Sequence, residues 1–179
     1  MNIMSYVKKR SLWMLHVGCS GCNACSVELS ACFEPRYDIE RYGIRAVDSP
    51  EYADILVITG AINEKSSILL EATLKRTYKP IMLMAVGNCA CSGGVFQQKN
   101  NYLKAVSGIE NADVYVPGCP PEPKVIIDGF KIAIQKNADS DMYKSKREQP
   151  DENNSSSVIN IALNETVLNA ANSEAKKSV

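Results

Sequence analysis

The sequence predicts an α/β fold built on a doubly wound parallel sheet. Strand-like apolar runs alternate with helix-compatible stretches along residues 11–134, which is the order of elements in a chain of β-α-β units. One of these runs, residues 55–58, contains only aliphatic side chains, as is typical of parallel strands that are buried on both faces. In such a sheet the strands share one carboxyl edge, and ligands bind outside it.

The N-terminal half of the predicted sheet contains three strands and one helix. Residues 11–17 form a short apolar run, and the glycines of residues 18–21 interrupt it before a helix-compatible stretch at residues 23–32. Residues 39–47 are predicted to form the second strand, and residues 51–60 contain the third. The first strand therefore leads through a glycine-rich loop into a helix.

Two helices and two strands are predicted in the C-terminal half. Residues 64–78 carry apolar side chains separated by charges and are followed by a proline, which predicts a crossover helix. The next two strands, residues 80–86 and 113–116, each end in a loop that contains glycine and cysteine. A pair of prolines then precedes residues 125–134, whose amphipathic pattern predicts a closing helix.

Four cysteines in three distant segments follow predicted strands. Cys22 and Cys25 come after the first strand, Cys89 after the fourth and Cys119 after the last. Because the three loops share the carboxyl edge of the predicted sheet, we expect the four thiols to converge. Thiolates are the usual ligands of iron–sulfur clusters. Neighbouring glycines let the backbone approach a cluster and direct N–H groups at its sulfides; they are Gly18, Gly21, Gly87, Gly93, Gly94 and Gly118.

Spacing alone leaves other roles open for the cysteines. Four thiolates also bind structural zinc, although zinc ribbons pair two Cys-x-x-Cys knuckles and only the first segment has that form. A redox pair of Cys22 and Cys25 would leave Cys89 and Cys119 unexplained, and any single cysteine can be a small buried hydrophobe. Cys19 extends the first segment into the opening of a bacterial ferredoxin motif, but the cysteine and proline that should follow are missing.

Composition narrows the function classes. The chain has 179 residues, seven cysteines and a formal net charge of zero, and this length is sufficient to bury one core. An odd number of cysteines without a signal-peptide pattern predicts a reducing compartment. No apolar run approaches the roughly 20 residues of a membrane span. Zero net charge gives no general attraction to nucleic acid, so nucleic acid is not expected as a partner.

A change in composition predicts a domain boundary near residue 136. Residues 137–179 are rich in Asp, Ser, Asn, Lys and Glu and contain neither cysteine nor glycine. Such a segment buries too little apolar surface to offset the entropy of ordering it. We therefore predict a cluster-binding domain at residues 1–136 and a polar, disordered tail at residues 137–179.

Four segments together resemble a known family. They resemble the small subunit of membrane-bound, energy-converting nickel–iron hydrogenases, including the formate hydrogenlyase type, which is related to the 20-kDa cluster-bearing subunit of respiratory complex I. The resemblance covers roughly residues 11–135, with the motifs in the same order. The segments are Gly21-Cys22-Asn23-Ala24-Cys25 with Glu28, residues 35–43, residues 87–94 and residues 114–121.

The resemblance implies a flavodoxin-like fold and one 4Fe-4S cluster. Carried over motif by motif, the family's cluster ligands fall on Cys22, Cys25, Cys89 and Cys119. The chain would relay electrons to or from a nickel–iron site in another subunit and would hold no catalytic metal centre itself. Complex I relatives have two adjacent cysteines at the first motif, so the Cys-x-x-Cys here favours the hydrogenases. Three cysteines remain spare, namely Cys19, Cys32 and Cys91, and for Cys91 a supporting or buried role is favoured over a substitute ligand.

The family also implies partners and a location. The expected partners are a hydrogenase-like large subunit, a ferredoxin-like subunit with several clusters, and integral membrane subunits that hold this chain at the cytoplasmic side of the membrane. A quinone-reducing complex of the complex I type, or a sulfur-reducing relative of the hydrogenases, would use the same fold and cluster. A zinc-binding interaction module without redox activity is the remaining alternative.

Four further residues have less specific roles. Glu28 follows the first motif by three residues. One role for it is beside the cluster or in a proton path, and the other is as a carboxylate on the helix surface that faces a partner. The sole histidine, His16, is predicted to be a hydrogen-bonded strand residue rather than a ligand. Trp13 and Tyr115 are predicted to be core or interface aromatics.

Overall fold

The computed structural model describes residues 11–77, 81–96 and 112–138. These residues form five strands and four α-helices. The strands are β1 (Leu12–Gly18), β2 (Ile44–Ala46), β3 (Ile55–Thr59), β4 (Met82–Val86) and β5 (Val114–Val116), and the helices are α1 (Ala24–Ala31), α2 (Glu64–Lys75), α3 (Asn88–Ser92) and α4 (Pro123–Ala138). Two 3-10 helices, Ile39–Tyr42 and Gly94–Phe96, complete the described structure.

The five strands make one parallel sheet in the order β2-β1-β3-β4-β5. This is the flavodoxin-like strand order, in which the order reverses between β1 and β3. The predicted fold class is therefore confirmed. The pairing of Gly18 with Thr59 and of Thr59 with Val86 brings the carboxyl ends of β1, β3 and β4 to the same edge.

Burial on both faces holds the sheet between two layers of helices. Every residue of β3 and β4 is buried, so alternate side chains of these strands enter two separate apolar clusters. Phe130 and Ile126 of α4 close one cluster, and Leu70 of α2 closes the other. Removal of this apolar surface from water is the main force that holds the helices on the sheet.

The predicted strand at residues 39–47 is wrong in its first half. Ile39–Tyr42 form a 3-10 helix, and only Ile44–Ala46 pair with β1. The backbone enters the 3-10 helix through Asp38 and leaves it through Gly43, and both have positive φ. The apolar side chains at positions 39 and 42 are three residues apart, which suits a 3-10 helix better than the period of a strand.

The other boundaries differ from expectation by a few residues. Part of the predicted loop after β4 is helical, since Asn88–Ser92 form a short helix. The closing helix begins at Pro123, where a proline without an N–H suits the first position. It continues to Ala138, two residues past the predicted boundary. The crossover helix, predicted to end at residue 78, ends at Lys75 instead, and residues 76 and 77 are not helical. Residue 78 and the rest of the predicted tail lie outside the described residues.

Among the helices of the described segments, none is both long and apolar enough to cross a membrane.

Candidate functional site

The three cysteine loops lie next to one another at the carboxyl edge of the sheet. The loop after β1 is fixed to the end of β3, where the N–H of Cys19 donates to the carbonyl of Thr59 at 2.8 Å. The loop after β4 is fixed to the loop after β5, because the N–H of Asn88 donates to the Gly118 carbonyl at 2.8 Å and the Asn88 side chain accepts from the Gly118 N–H at 2.8 Å. Hydrogen bonds thus connect neighbouring loops, as expected for the switch point of this fold.

Cys22 and Cys25 belong to the loop after β1 and to the start of α1. Cys22 is exposed in the loop, whereas Cys25 lies in the first turn of α1 and packs partly against the core. Asn23 between them adopts a left-handed backbone conformation, and its carbonyl accepts the first hydrogen bonds of α1 from Ser26 and Val27. This tight turn brings both thiols to the same end of the helix.

Cys89 and Cys119 lie beyond the ends of β4 and β5. Cys89 is half-buried in the first turn of α3. Cys119 is exposed and is followed by a cis peptide bond to Pro120. Neither residue is on the same element as Cys22 or Cys25, so only the parallel sheet brings these segments together.

The sulfurs of the three loops are close enough for their charges to act on Cys25 and Cys89. Burial raises the pKa of Cys25 to about 11, with further contributions from the negative charges of Cys89, Cys22 and Cys119 as thiolates. The pKa of Cys89 is also raised, first by burial and then by Cys119 and Cys22. Like charges near one another disfavour ionisation. A positively charged metal centre would reverse this preference and hold the four sulfurs as thiolates.

Two glycines leave room beside the sulfurs. Gly87 follows β4 and has φ +91°, and a Cβ at this position would overlap the Sγ of Cys25. A Cβ on Gly94 would lie 3.3 Å from the Sγ of Cys89. Side chains at these positions would therefore displace the cysteines. The donor set and the space left by the glycines fit a cluster held by Cys22, Cys25, Cys89 and Cys119.

A small cleft of about 60 Å³ lies at the first loop. Cys19, Cys22, Cys25 and Cys89 all line it, together with Thr59 and neighbouring loop residues. Within the described residues, no three His, Cys, Asp or Glu side chains are arranged to hold a single metal ion. A 4Fe-4S cubane needs a different arrangement, because its four thiolates are spread around a larger group.

The three spare cysteines make local contacts. Cys19 is hydrogen-bonded to the side chain of Ser66, and burial raises its pKa. The thiol of Cys91 donates to the carbonyl of Ala85 at 3.5 Å. Cys32 is fully buried between α1 and α4, where its thiol donates to the carbonyls of Glu28 at 3.3 Å and Pro123 at 3.6 Å. Cys32 therefore acts as a small core residue that links two helices.

A hydroxyl and imidazole network lies beneath the first loop. The Nε2 of His16 is 2.9 Å from the Oγ1 of Thr59 and 3.4 Å from the Oγ of Ser26, and the two hydroxyls are 3.0 Å apart. Burial lowers the pKa of His16. The prediction that His16 is a hydrogen-bonded strand residue is confirmed. Its partners could not be predicted from the sequence, because α1 brings Ser26 to His16 and the pairing of β1 with β3 brings Thr59.

The remaining candidates are Glu28, Trp13 and Tyr115. Glu28 is half-buried, and its charge contributes to the raised pKa of Cys32. Trp13, at the start of β1, is 40% exposed and stacks at a tilt on Tyr52. Tyr115 is 43% exposed, and its hydroxyl accepts from the N–H of Ala112. Neither aromatic is a core residue.

Comparison with known proteins identifies related sequences. The family model described as NADH ubiquinone oxidoreductase, 20 kDa subunit, matches residues 22–133. A probable membrane-bound hydrogenase subunit of Pyrococcus furiosus is 39% identical over 129 residues, which are 72% of this chain and 77% of that protein. Formate hydrogenlyase subunit 7 of Escherichia coli is 37% identical over 70% of this chain and 49% of its own length. An NADH-quinone oxidoreductase subunit of Heliobacterium modesticaldum is 34% identical, with 76% and 78% covered.

Solved structures share the fold. A chain of the membrane-bound sulfane sulfur reductase, an archaeal respiratory membrane complex, matches with a TM-score of 0.75 and 26% identity, covering 98% of this chain and 96% of that chain. A chain of an NAD+-reducing [NiFe]-hydrogenase matches with a TM-score of 0.57 and 20% identity, covering 70% of this chain and 92% of that chain. At that identity the second match concerns the fold alone.

Proposed function

Because the chain belongs to the NADH ubiquinone oxidoreductase 20 kDa subunit family, we propose that it is the electron-transfer small subunit of a membrane-associated nickel–iron hydrogenase. The relatives named above are subunits of hydrogenases and of complex I-like oxidoreductases. In this proposal it holds one 4Fe-4S cluster through Cys22, Cys25, Cys89 and Cys119. The domain that does so would span residues 1–136, and residues 137–179 would be an accessory tail.

One observation supports the cluster assignment most strongly. Four cysteines from three separate loops lie at a single edge of the sheet, where burial and then the charges of the neighbouring thiolates raise the pKa of Cys25 and Cys89. Half-burial of Cys25 and Cys89 beside other thiolates is costly unless a cationic group compensates their charge. The three other cysteines already have hydrogen-bond partners in the fold, which supports their exclusion from the ligand set.

Each part of the chain has a defined task in this proposal. The turn at Asn23 orients Cys22 and Cys25, and the short helix α3 orients Cys89. The hydrogen bonds between Asn88 and Gly118 keep the last two loops together, which holds Cys119 close to the other sulfurs. The bound cluster would supply a site that accepts and releases single electrons. Core side chains beneath the loops would exclude water from its protein side.

Several features favour a hydrogenase over a quinone-reducing complex. The first motif has the Cys-x-x-Cys form, whereas the complex I relatives that it resembles carry two adjacent cysteines. The relative in Pyrococcus furiosus is a probable membrane-bound hydrogenase subunit. The proposed partners are a large subunit with the nickel–iron site, a ferredoxin-like subunit and integral membrane subunits that hold the chain at the cytoplasmic side.

A sulfur-reducing complex is the second candidate. The match to a chain of the sulfane sulfur reductase covers 98% of this chain with a TM-score of 0.75. The same relay subunit would serve either complex, since the difference between them would lie in the partner that reacts with substrate. A quinone-reducing complex is the third alternative.

Metal analysis of the purified complex tests the proposal. The tagged chain is purified anaerobically with its bound partners, and nickel, iron and acid-labile sulfide are measured. Nickel together with abundant iron and sulfide supports the hydrogenase. Iron and sulfide without nickel would favour the sulfur- or quinone-reducing alternatives, and zinc in place of iron would overturn the cluster assignment.

A further inference from the structure

A second candidate site lies on the α4 face of the domain, apart from the cysteine loops. It is an open cavity of about 270 Å³ between the segment that follows α1 and the first half of α4. We call it the basic cavity; four cations and two tyrosines line it, namely Arg36, Arg41, Lys124, Lys131, Tyr37 and Tyr42. The first segment belongs to the family motif at residues 35–43, which the cysteine site does not use.

The basic cavity concentrates charge in a chain with no net charge. Its four cations are exposed. Among the described lining residues, Asp128 is the only carboxylate, and it is paired with Lys131 at 2.8 Å. The cavity therefore has an excess of three positive charges. Such an excess of positive charge attracts anions from solution.

The tyrosines hold three of the four cations in position without neutralising them. The guanidinium carbon of Arg41 lies 4.9 Å from the centre of the Tyr42 ring, and the Nζ of Lys131 lies 5.1 Å from the same centre. Arg36 is 5.6 Å from the Tyr37 ring, and Arg41 also donates to the Tyr42 hydroxyl at 2.8 Å. Cation–π contacts of this kind fix a cation while leaving N–H groups available to an anion.

We propose that the basic cavity binds the phosphate of an anionic phospholipid headgroup. Guanidinium and ammonium groups together match the oxygens and charge of a phosphate. Tyrosines with an apolar ring and a polar hydroxyl are favoured at a membrane surface, and basic pockets of membrane-associated proteins bind anionic headgroups. The volume of the cavity exceeds what a single carboxylate would fill. The choice of a lipid rests on the membrane location in the proposed function, whereas the cavity itself is independent of the cluster.

Vesicle flotation of the full-length chain tests this inference. The probes are vesicles of phosphatidylcholine alone and of phosphatidylcholine mixed with phosphatidylglycerol in equal parts. We expect binding to the mixed vesicles only. Arg41→Gln combined with Lys131→Gln should weaken that binding roughly tenfold or more, because each cation near an anionic surface contributes substantially to binding. The control is Lys65→Gln combined with Lys75→Gln on α2, which removes the same net charge from exposed positions on another helix.

The outcomes separate site-specific lipid binding from its alternatives. Retained binding in the control with loss in the cavity variant supports the inference. Equal loss in both variants would mean non-specific attraction and overturn it, as would no binding by the wild-type chain. Glycerol phosphate serves as a competitor for the wild-type chain. If it displaces the chain fully from vesicles at the same phosphate concentration, the cavity binds a soluble phosphate ester, and the proposal of a lipid headgroup is overturned. Unchanged visible absorbance and circular dichroism in both variants exclude loss of the cluster or fold.

Discussion

Gly87 lies directly against the sulfur of Cys25, although Gly87 follows β4 and Cys25 lies in the first turn of α1. Gly87 has φ +91°, and a Cβ built on it would overlap the Sγ of Cys25 and lie 3.7 Å from the carbonyl oxygen of Gly118. The loops after β1, β4 and β5 therefore meet at this glycine. Their close approach depends on the absence of a side chain.

Gly87→Ala should reduce cluster content strongly. The new methyl group must displace Cys25, and the positive φ adds strain for any residue with a Cβ. We expect iron and acid-labile sulfide per chain to fall well below the wild-type values while the far-ultraviolet circular dichroism is retained. Gly18→Ala is the matched control, because its Cβ would meet only atoms at 3.8 Å or more and its φ is not positive. Equal cluster content in the two variants would contradict the proposed packing.

Substitution of individual cysteines tests the ligand set. Cys22→Ser and Cys119→Ala should abolish the visible absorbance and the electron paramagnetic resonance signal of the reduced cluster, because each removes a proposed thiolate. Cys19→Ser and Cys91→Ser should retain both signals, since these thiols bond to Ser66 and to the Ala85 carbonyl. An intact cubane in Cys119→Ala, or its loss in Cys19→Ser, would require a different ligand assignment.

Gly129→Ala should destabilise the domain although alanine favours helices. Gly129 lies in α4, and its added Cβ would be 2.5 Å from Cγ2 of Val116 and 2.8 Å from Cε of Met84. Overpacking of this kind costs about 1–3 kcal/mol, which exceeds the gain of about 0.5–1 kcal/mol in helix propensity. Urea unfolding followed by circular dichroism measures the difference, with Gln135→Ala on the exposed side of α4 as control. A net gain in stability would show that the helix shifts freely.

The unfolding free energy should fall as the pH decreases below the ordinary pKa of histidine. Burial lowers the pKa of His16 from 6.5, so between the folded and unfolded values the unfolded chain binds more protons. Stability is then greatest above pH 6.5 and decreases as the pH falls through the lowered pKa. His16→Gln should remove this part of the pH dependence. Urea unfolding at a series of pH values tests it, and the same slope in wild type and variant would assign the effect to other groups.

Much of the fold follows from local patterns. The runs that form β3 and β4 are apolar apart from Thr59, because both faces of these strands are buried, and this signal is visible in the sequence. The segment at residues 39–47 was harder to predict, because its apolar residues at positions 39, 42 and 44 are compatible with either a strand or a tighter helix. In the structure, positive φ at Asp38 and Gly43 bounds a 3-10 helix at these positions. The spacing of apolar residues along the sequence does not predict a positive φ.

The sequence by itself determined the fold class and the segments that carry the candidate ligands, since in a parallel sheet each strand delivers its following loop to the same edge. Tertiary structure alone decided which cysteines meet and which are buried elsewhere. Cys32 contacts Pro123, 91 positions away, and so is a core residue. The basic cavity likewise joins Arg41 to Lys131 on a distant helix. Packing of helices on the sheet creates both contacts, and that packing depends on surfaces from the whole chain.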